Sequence, residues 1–258
     1  MIKRILLTTL IVLLSGGMLG CYFYFVGQLS AQGRKQARCQ RVDVILLDSL
    51  ETAIVDRQEV KDLLVKSTRN RITDSIDLYA IEQLVASRGE VMSAEVYTAD
   101  SRTLAVRITQ RKPVVRLDKG RERWYADPEG YLFPVRNAVD VPVVTGAIPF
   151  TLDAAYKGPT PRENRDWMQG MVELARYIDS KPVLRSEVAQ IDIAPDGDIV
   201  LYTRTAGPAI IFGDSGDYAN KFRKLEAWWR NIEPQVEEGK TYKTINLKYN
   251  QQIICKQL

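Results

Sequence analysis

Residues 91–109 read VMSAEVYTADSRTLAVRIT, and this stretch decides the architecture of the first half of the chain. Val91 to Thr98 and Thr103 to Thr109 are β-prone runs separated by Ala99-Asp100-Ser101-Arg102, and Leu104, Val106 and Ile108 alternate as one buried face requires. Working back from this hairpin, Ile76 to Ser87 has helical spacing, with Ile76, Tyr79, Ala80 and Leu84 placed for burial and Gly89 suited to end the helix. Val55 to Ser67 is a second helical pattern. Asp56 is its cap residue, Glu59 completes a capping box, and Val60, Leu63 and Leu64 share a face. Arg41 to Leu47 (RVDVILL) is an apolar, β-branched strand ending at the turn-prone Asp48-Ser49. The unit is therefore β-α-α-β-β, punctuated at its end by Gln110-Arg111-Lys112-Pro113.

Beyond the punctuation the pattern changes to a β-rich domain with helices. Trp124 to Phe133 (WYADPEGYLF) is a hairpin in which Asp-Pro-Glu-Gly supplies the turn. Val141 to Gly146 (VPVVTG) reads as an edge strand, because Pro142 cannot donate to a ladder. Asp166 to Asp179 is amphipathic, with Trp167, Met171, Leu174, Ala175 and Ile178 on one face. Three strands follow, Val188 to Ile193, Asp198 to Thr203 and Ala209 to Phe212, joined by Pro195-Asp196-Gly197 and Ala206-Gly207-Pro208. Asp217 to Ile232 is a helix whose Tyr218, Phe222, Leu225, Trp229 and Ile232 form a core stripe. The fold class expected is α+β.

The N-terminal segment is of another kind. Ile5 to Val26 contains 22 residues without a charge, roughly 33 Å as a helix, with Tyr22 to Phe25 as an aromatic cluster at one end. The aromatic run leaves no small-residue cleavage site, so an uncleaved membrane anchor is the first reading. The alternative is lipid attachment at Cys21 within Met18-Leu19-Gly20-Cys21. Basic residues flank both ends, so orientation rests on the large domains that follow, which translocate largely regardless of charge; the N-terminus is read as cytoplasmic. Gly27 to Gln40 is polar and aperiodic and reads as a stem.

The net charge of +4 has a location. Lys3, Arg4, Arg34, Lys35, Arg38 and Arg41 are the only charged residues before Asp43, and without them 30 basic residues face 32 acidic ones. A basic face for nucleic acid is thus not expected. The chain has no histidine, which excludes Ser-His-Asp and Cys-His catalysis. Three cysteines without a CxxC offer no zinc site, and Cys39 and Cys255 belong to different expected domains and are not read as a pair. Gly213 to Asp217 (GDSGD) lacks the ending of a phosphate loop and reads as a turn that caps the following helix. The acid pairs Glu237-Glu238 and Asp196 with Asp198 lie in evident turns, and no SxxK occurs. No catalytic, cofactor-binding or metal-binding residue is identified.

The last β-prone run, Ile245-Asn246-Leu247-Lys248-Tyr249, continues through Asn250-Gln251-Gln252 into Ile253-Ile254. It reads either as a strand paired only within its own sheet or as an edge able to accept a partner strand through unpaired backbone groups.

Taken together, the β-α-α-β-β unit leading into Gln110-Arg111-Lys112-Pro113, the Trp124-to-Gly130 hairpin, Val141 to Gly146 and the ending Ile245 to Tyr249 resemble the FtsQ/DivIB family of bacterial cell-division proteins. The resemblance covers nearly the whole chain. It implies a cytoplasmic tail over 1–4, a transmembrane helix over 5–26, a stem over 27–40, a POTRA domain over 41–113 and an FtsQ-type β domain over 114–258. It further implies a non-catalytic, bitopic scaffold of the divisome, without cofactor, in the inner membrane at the septum. Such a scaffold links FtsB/FtsL-like partners to the septal peptidoglycan synthase complex. In that family FtsB adds a strand to the C-terminal edge. Carried over, the contact falls on Lys248, Tyr249, Asn250, Gln251, Gln252, Ile253 and Ile254, with Tyr249 as anchor. Asn246 and Lys248 stand where the family often has Asp and Arg. The competing expectation is a lipid-anchored periplasmic POTRA protein serving outer-membrane assembly or transport.

Overall fold

A computed structural model of the chain describes residues 2–35, 37–48, 53–69, 71–205, 207–235, 242–250 and 252–257, with side chains except those of 2–12 and 30–35. Ser49, Ala206, the Glu237-Glu238 pair and Gln251 lie outside the described residues. The chain divides into two compact units, Met1–Thr109 and Gln110–Leu258.

The first unit opens with helix α1 (Ile2–Lys35), which does not stop where the apolar run ends but continues through most of the expected stem. Gln28, Leu29, Ala31, Gln32, Arg34 and Lys35 are all good helix formers, so a polar and aperiodic stretch can still extend a helix already nucleated. Leu13, Leu14, Met18, Leu19, Phe23 and Phe25 on α1 are all exposed. Among the described residues no helix is long and apolar enough to cross a membrane.

After α1 come β1 (Arg41–Leu46), α2 (Arg57–Thr68), α3 (Leu78–Ala86), β2 (Val91–Asp100) and β3 (Thr103–Gln110), in the sheet order β1-β3-β2. β1 runs parallel to β3, pairing Val42 with Leu104, Val44 with Val106 and Leu46 with Ile108. Leu104, Val106 and Ile108 are fully buried, as their alternation requires. Asp56 caps α2 by accepting from the N–H groups of Gln58 and Glu59 at 2.8 and 3.2 Å. The Glu59 carboxylate accepts from Arg88, which also pairs with the buried Glu90 at 2.7 Å. In α3 the buried face differs from the expected one: Ile81 and Val85 point inward while Tyr79 is 68% exposed. Asp77 caps the Ala80 N–H at 3.0 Å and the helix starts at Leu78, so Ile76, buried as expected, precedes it, while Ile81 and Val85, four apart, supply the inner stripe.

The second unit holds one ten-stranded mixed sheet. Its elements are β4 (Val115–Lys119), β5 (Glu122–Ala126), β6 (Tyr131–Pro134), β7 (Val143–Gly146), β8 (Gly158–Pro159), α4 (Arg165–Ser180), α5 (Pro182–Glu187), β9 (Val188–Ile193), β10 (Ile199–Thr203), β11 (Ala209–Gly213), α6 (Tyr218–Asn231), β12 (Tyr242–Asn246) and β13 (Ile254–Gln257). The strand order is β13-β12-β11-β10-β9-β7-β4-β5-β6-β8. Met171, Leu174, Ala175 and Ile178 of α4 and Phe222, Leu225 and Trp228 of α6 share one core with Leu117, Ile191, Leu201 and Ile210 of the sheet. Trp228, not Trp229, is the buried tryptophan, and Ile232 stays 39% exposed, because the inner stripe of α6 continues from Leu225 at a spacing of three.

Val143 to Gly146 is not an edge strand. β7 lies inside the sheet, parallel to both β4 and β9. Pro142 stands just outside the strand and contributes only its carbonyl, which accepts from the Arg116 N–H at 2.9 Å, so its missing N–H costs nothing. Gly146 ends β7 at φ +85° with the Ile193 backbone against its α-carbon, where no side chain fits. The GDSGD turn precedes α6, but Asp217 sits in the left-handed region and makes no capping bond with its side chain. β4 and α5 follow Pro113 and Lys181 and complete the sheet and its helical layer.

Candidate functional site

The C-terminal run folds differently from the continuous strand expected. β12 stops at Asn246, whose side-chain oxygen accepts from the Lys248 N–H at 3.0 Å in a side-chain-supported turn. The chain then reverses, and β13 pairs antiparallel with β12, Asn246 opposite Ile254 and Ile245 opposite Cys255. β12 is therefore covered on both sides, by β11 and β13, and β13 forms the outer edge of the sheet.

Six of the seven expected contact residues, all but Gln251, are described, and they fall on a connection and on the start of the edge strand. Lys248 turns back over the sheet and pairs with Asp198 at 2.6 Å, a hydrogen bond that raises the ammonium above its ordinary value. Its stem crosses Gly213, at φ +82°, where an added β-carbon would lie 2.8 Å from Lys248 Cγ. Tyr249 is 50% exposed, and Asn250 and Gln252 are exposed. Ile253 is half-buried against the core, whereas Ile254 is 45% exposed on the opposite side of the strand. Cys255 returns to the core side, where burial pushes its thiol up. Cys21, Cys39 and Cys255 are all free thiols.

Sequence reasoning missed the residue that holds this connection in place. Lys224, on α6, donates from Nζ to the carbonyls of Leu247 and Tyr249 at 2.8 and 2.6 Å. Partial burial, followed by the nearby positive charge of Lys221, holds Lys224 below its ordinary value. No periodicity or motif links position 224 to 249. Lys256 and Gln257, also missed, are exposed on the edge strand itself.

The two edges of the sheet are unequal. β8 consists of Gly158 and Pro159 alone; Pro159 has no N–H, and its carbonyl already accepts from the Tyr156 hydroxyl at 2.7 Å. β13 is four residues long, with Ile254, Lys256 and Gln257 exposed. Two-residue strands ending in proline are poor templates for pairing, so β13 is the side of this sheet suited to receive a strand.

At the opposite end of the sheet the Asp127 turn is built by charge. Asp127, 2% exposed, accepts from the N–H groups of Glu129 and Tyr131 through one carboxylate oxygen and from Arg111 at 2.6 Å through the other. The Arg111 guanidinium lies 3.5 Å above the Tyr131 ring. Among the described residues no cluster of three or more His, Cys, Asp or Glu could hold a metal ion.

Known families divide the chain in a similar way. A POTRA-like domain matches residues 37–109, and the family described as FtsQ/DivIB, C-terminal related, matches residues 112–256. No curated protein matches the chain. The second match spans more than half of the chain and takes in the sheet from β4 to β13 except the last residue of the edge, and on that extent the chain belongs to the FtsQ/DivIB family.

Proposed function

We propose that this protein is a bitopic, non-catalytic scaffold of the cell-division machinery whose C-terminal sheet edge receives an extended segment of an FtsB/FtsL-like partner. FtsQ/DivIB-related and POTRA-like domains point to a cell-division scaffold. The observation that carries the finer reading is the asymmetry of the sheet: one edge is blunted by Pro159, and the other ends in the accessible β13. Backbone pairing along Ile254–Gln257 supplies affinity, and alternate side chains supply selectivity. Lys248, Tyr249, Asn250, Gln252 and Ile253 then form the rim beside that strand, with Tyr249 offering the exposed aromatic surface of the group, and Gln251, outside the described residues, is proposed as a contact on its sequence position alone.

In this reading α1 anchors the chain in the inner membrane with its N-terminus cytoplasmic, and both folded units act outside the cytoplasm. The support is the uncharged run from Ile5 to Val26, whose described side chains are exposed. Site-specific photocrosslinking of the full chain in dividing cells tests the proposal. A crosslinker at Lys256 is expected to trap a small division protein at the septum, and one at Lys157 beside β8 is not. Equal adducts at both positions, or none at Lys256, would falsify strand addition at β13.

A further inference from the structure

A second site lies one strand in from the edge, where the turn between β10 and β11 meets α5 and the C-terminal end of α6. Here a cavity of about 440 Å³ opens beside Trp229, with Val183, Pro208, Ile210 and Ile245 as its apolar walls. The volume falls within the range of ligand-sized pockets, about 300–1,000 Å³. Two carboxylates line it, Glu187 and Glu233. Among the described residues neither has a hydrogen-bond or ion-pair partner for its side chain. Arg204 and Arg185, cations close by in sequence, line a different cavity together with Asp140 and Asp179.

Three features of this cavity favour the same charge. Two acids share one partly apolar space with no cation among its described lining residues, and partial burial, followed by the charge of Glu187, pushes the Glu233 carboxyl up. Helix α6, fourteen residues long, ends at Asn231, so the negative end of its dipole lies at Trp229 and Glu233. The indole of Trp229 is the aromatic surface best suited to a cation, and the aliphatic walls suit the carbon stem that carries one.

We propose that this cavity is a docking pocket for a basic side chain, arginine or lysine, presented by a partner polypeptide. Its chemistry is independent of strand addition at β13, so the two contacts can fail separately. The test uses full-length protein in nanodiscs with its tryptophans labelled with ¹⁵N, reading the indole signal that Trp229→Phe removes. The probes are the blocked tripeptide Gly-Arg-Gly, its neutral citrulline counterpart and ethylguanidinium. The arginine peptide is expected to shift the Trp229 signal saturably and the citrulline peptide to leave it unmoved. The double variant Glu187→Gln, Glu233→Gln, shown to be folded by circular dichroism, is expected to bind at least ten-fold more weakly. Equal shifts from the citrulline peptide, or unchanged binding by the folded double variant, overturn the proposal. Ethylguanidinium binding as tightly as the peptide overturns the polypeptide assignment in favour of a free small cation.

Discussion

Lys224 fixes the position of Tyr249: its ammonium, on the flank of α6, donates 2.6 Å to the Tyr249 carbonyl and 2.8 Å to that of Leu247. One side chain thereby ties the turn after β12 to the helical layer, although its own burial disfavours the charge that makes the contact.

Lys224→Met keeps the stem and removes both donors. It is expected to lower stability by about 1–2 kcal/mol, the range for losing a charged donor to carbonyls that water can partly reach. Hydrogen exchange should quicken in residues 246–257 more than in β9 and β10. Uniform acceleration across the sheet would mean that Lys224 contributes only global packing.

Tyr249→Ala removes a half-exposed ring and no core contact. Partner pull-down is expected to weaken about 30-fold, corresponding to a hot-spot loss of about 2 kcal/mol, with the circular dichroism of the protein unchanged. Retained affinity would exclude Tyr249 as an anchor.

Arg111→Ala strips the counter-charge from Asp127, a carboxylate that stays 2% exposed. About 3 kcal/mol of stability should be lost in denaturant unfolding, because the buried charge is left uncompensated. Asp127→Asn in the same background should recover part of this loss. Arg111→Lys is expected to recover less than wild-type stability, since an ammonium cannot reproduce the flat stacking 3.5 Å above Tyr131.

Asp214 supplies the pH-dependent contribution. Its hydrogen bond from Lys221, at 2.8 Å, holds the carboxyl below the ordinary value of 3.8. A carboxyl depressed in the folded state stabilises it above its unfolded value and loses that contribution as pH falls through its folded value. Asp214→Asn should therefore cost about 0.5 kcal/mol at pH 6, a figure kept small by solvent exposure, and progressively less as pH falls below the ordinary value of 3.8. Thermal melts of both proteins across this window measure the difference, and a constant gap at every pH would contradict the linkage.

Local patterns were legible where local forces decide. The alternation of Leu104, Val106 and Ile108 located β3, and the cap at Asp56 located α2, since side-chain period and capping depend on neighbours in sequence. The same logic misjudged the inner face of α3, because Tyr79 and Ala80 compete with Ile81 and Val85 at helical spacing and packing against the sheet selects between the two stripes. It misjudged β7 because proline excludes a residue from donating but does not say whether the strand beyond it is covered.

By itself the sequence determined a β-α-α-β-β unit, a β-rich second unit with two amphipathic helices, an uncharged N-terminal run and the absence of histidine chemistry. Tertiary structure decided which strand is the edge. The run from Ile245 to Ile254 reads as one strand until Asn246 turns it and β13 folds back over β12. It also decided that Lys224 reaches Tyr249 and that Glu187 and Glu233 share a cavity. Edges, clamps and shared cavities arise between residues distant in sequence, and their energies depend on what covers each group, which side-chain period alone does not encode.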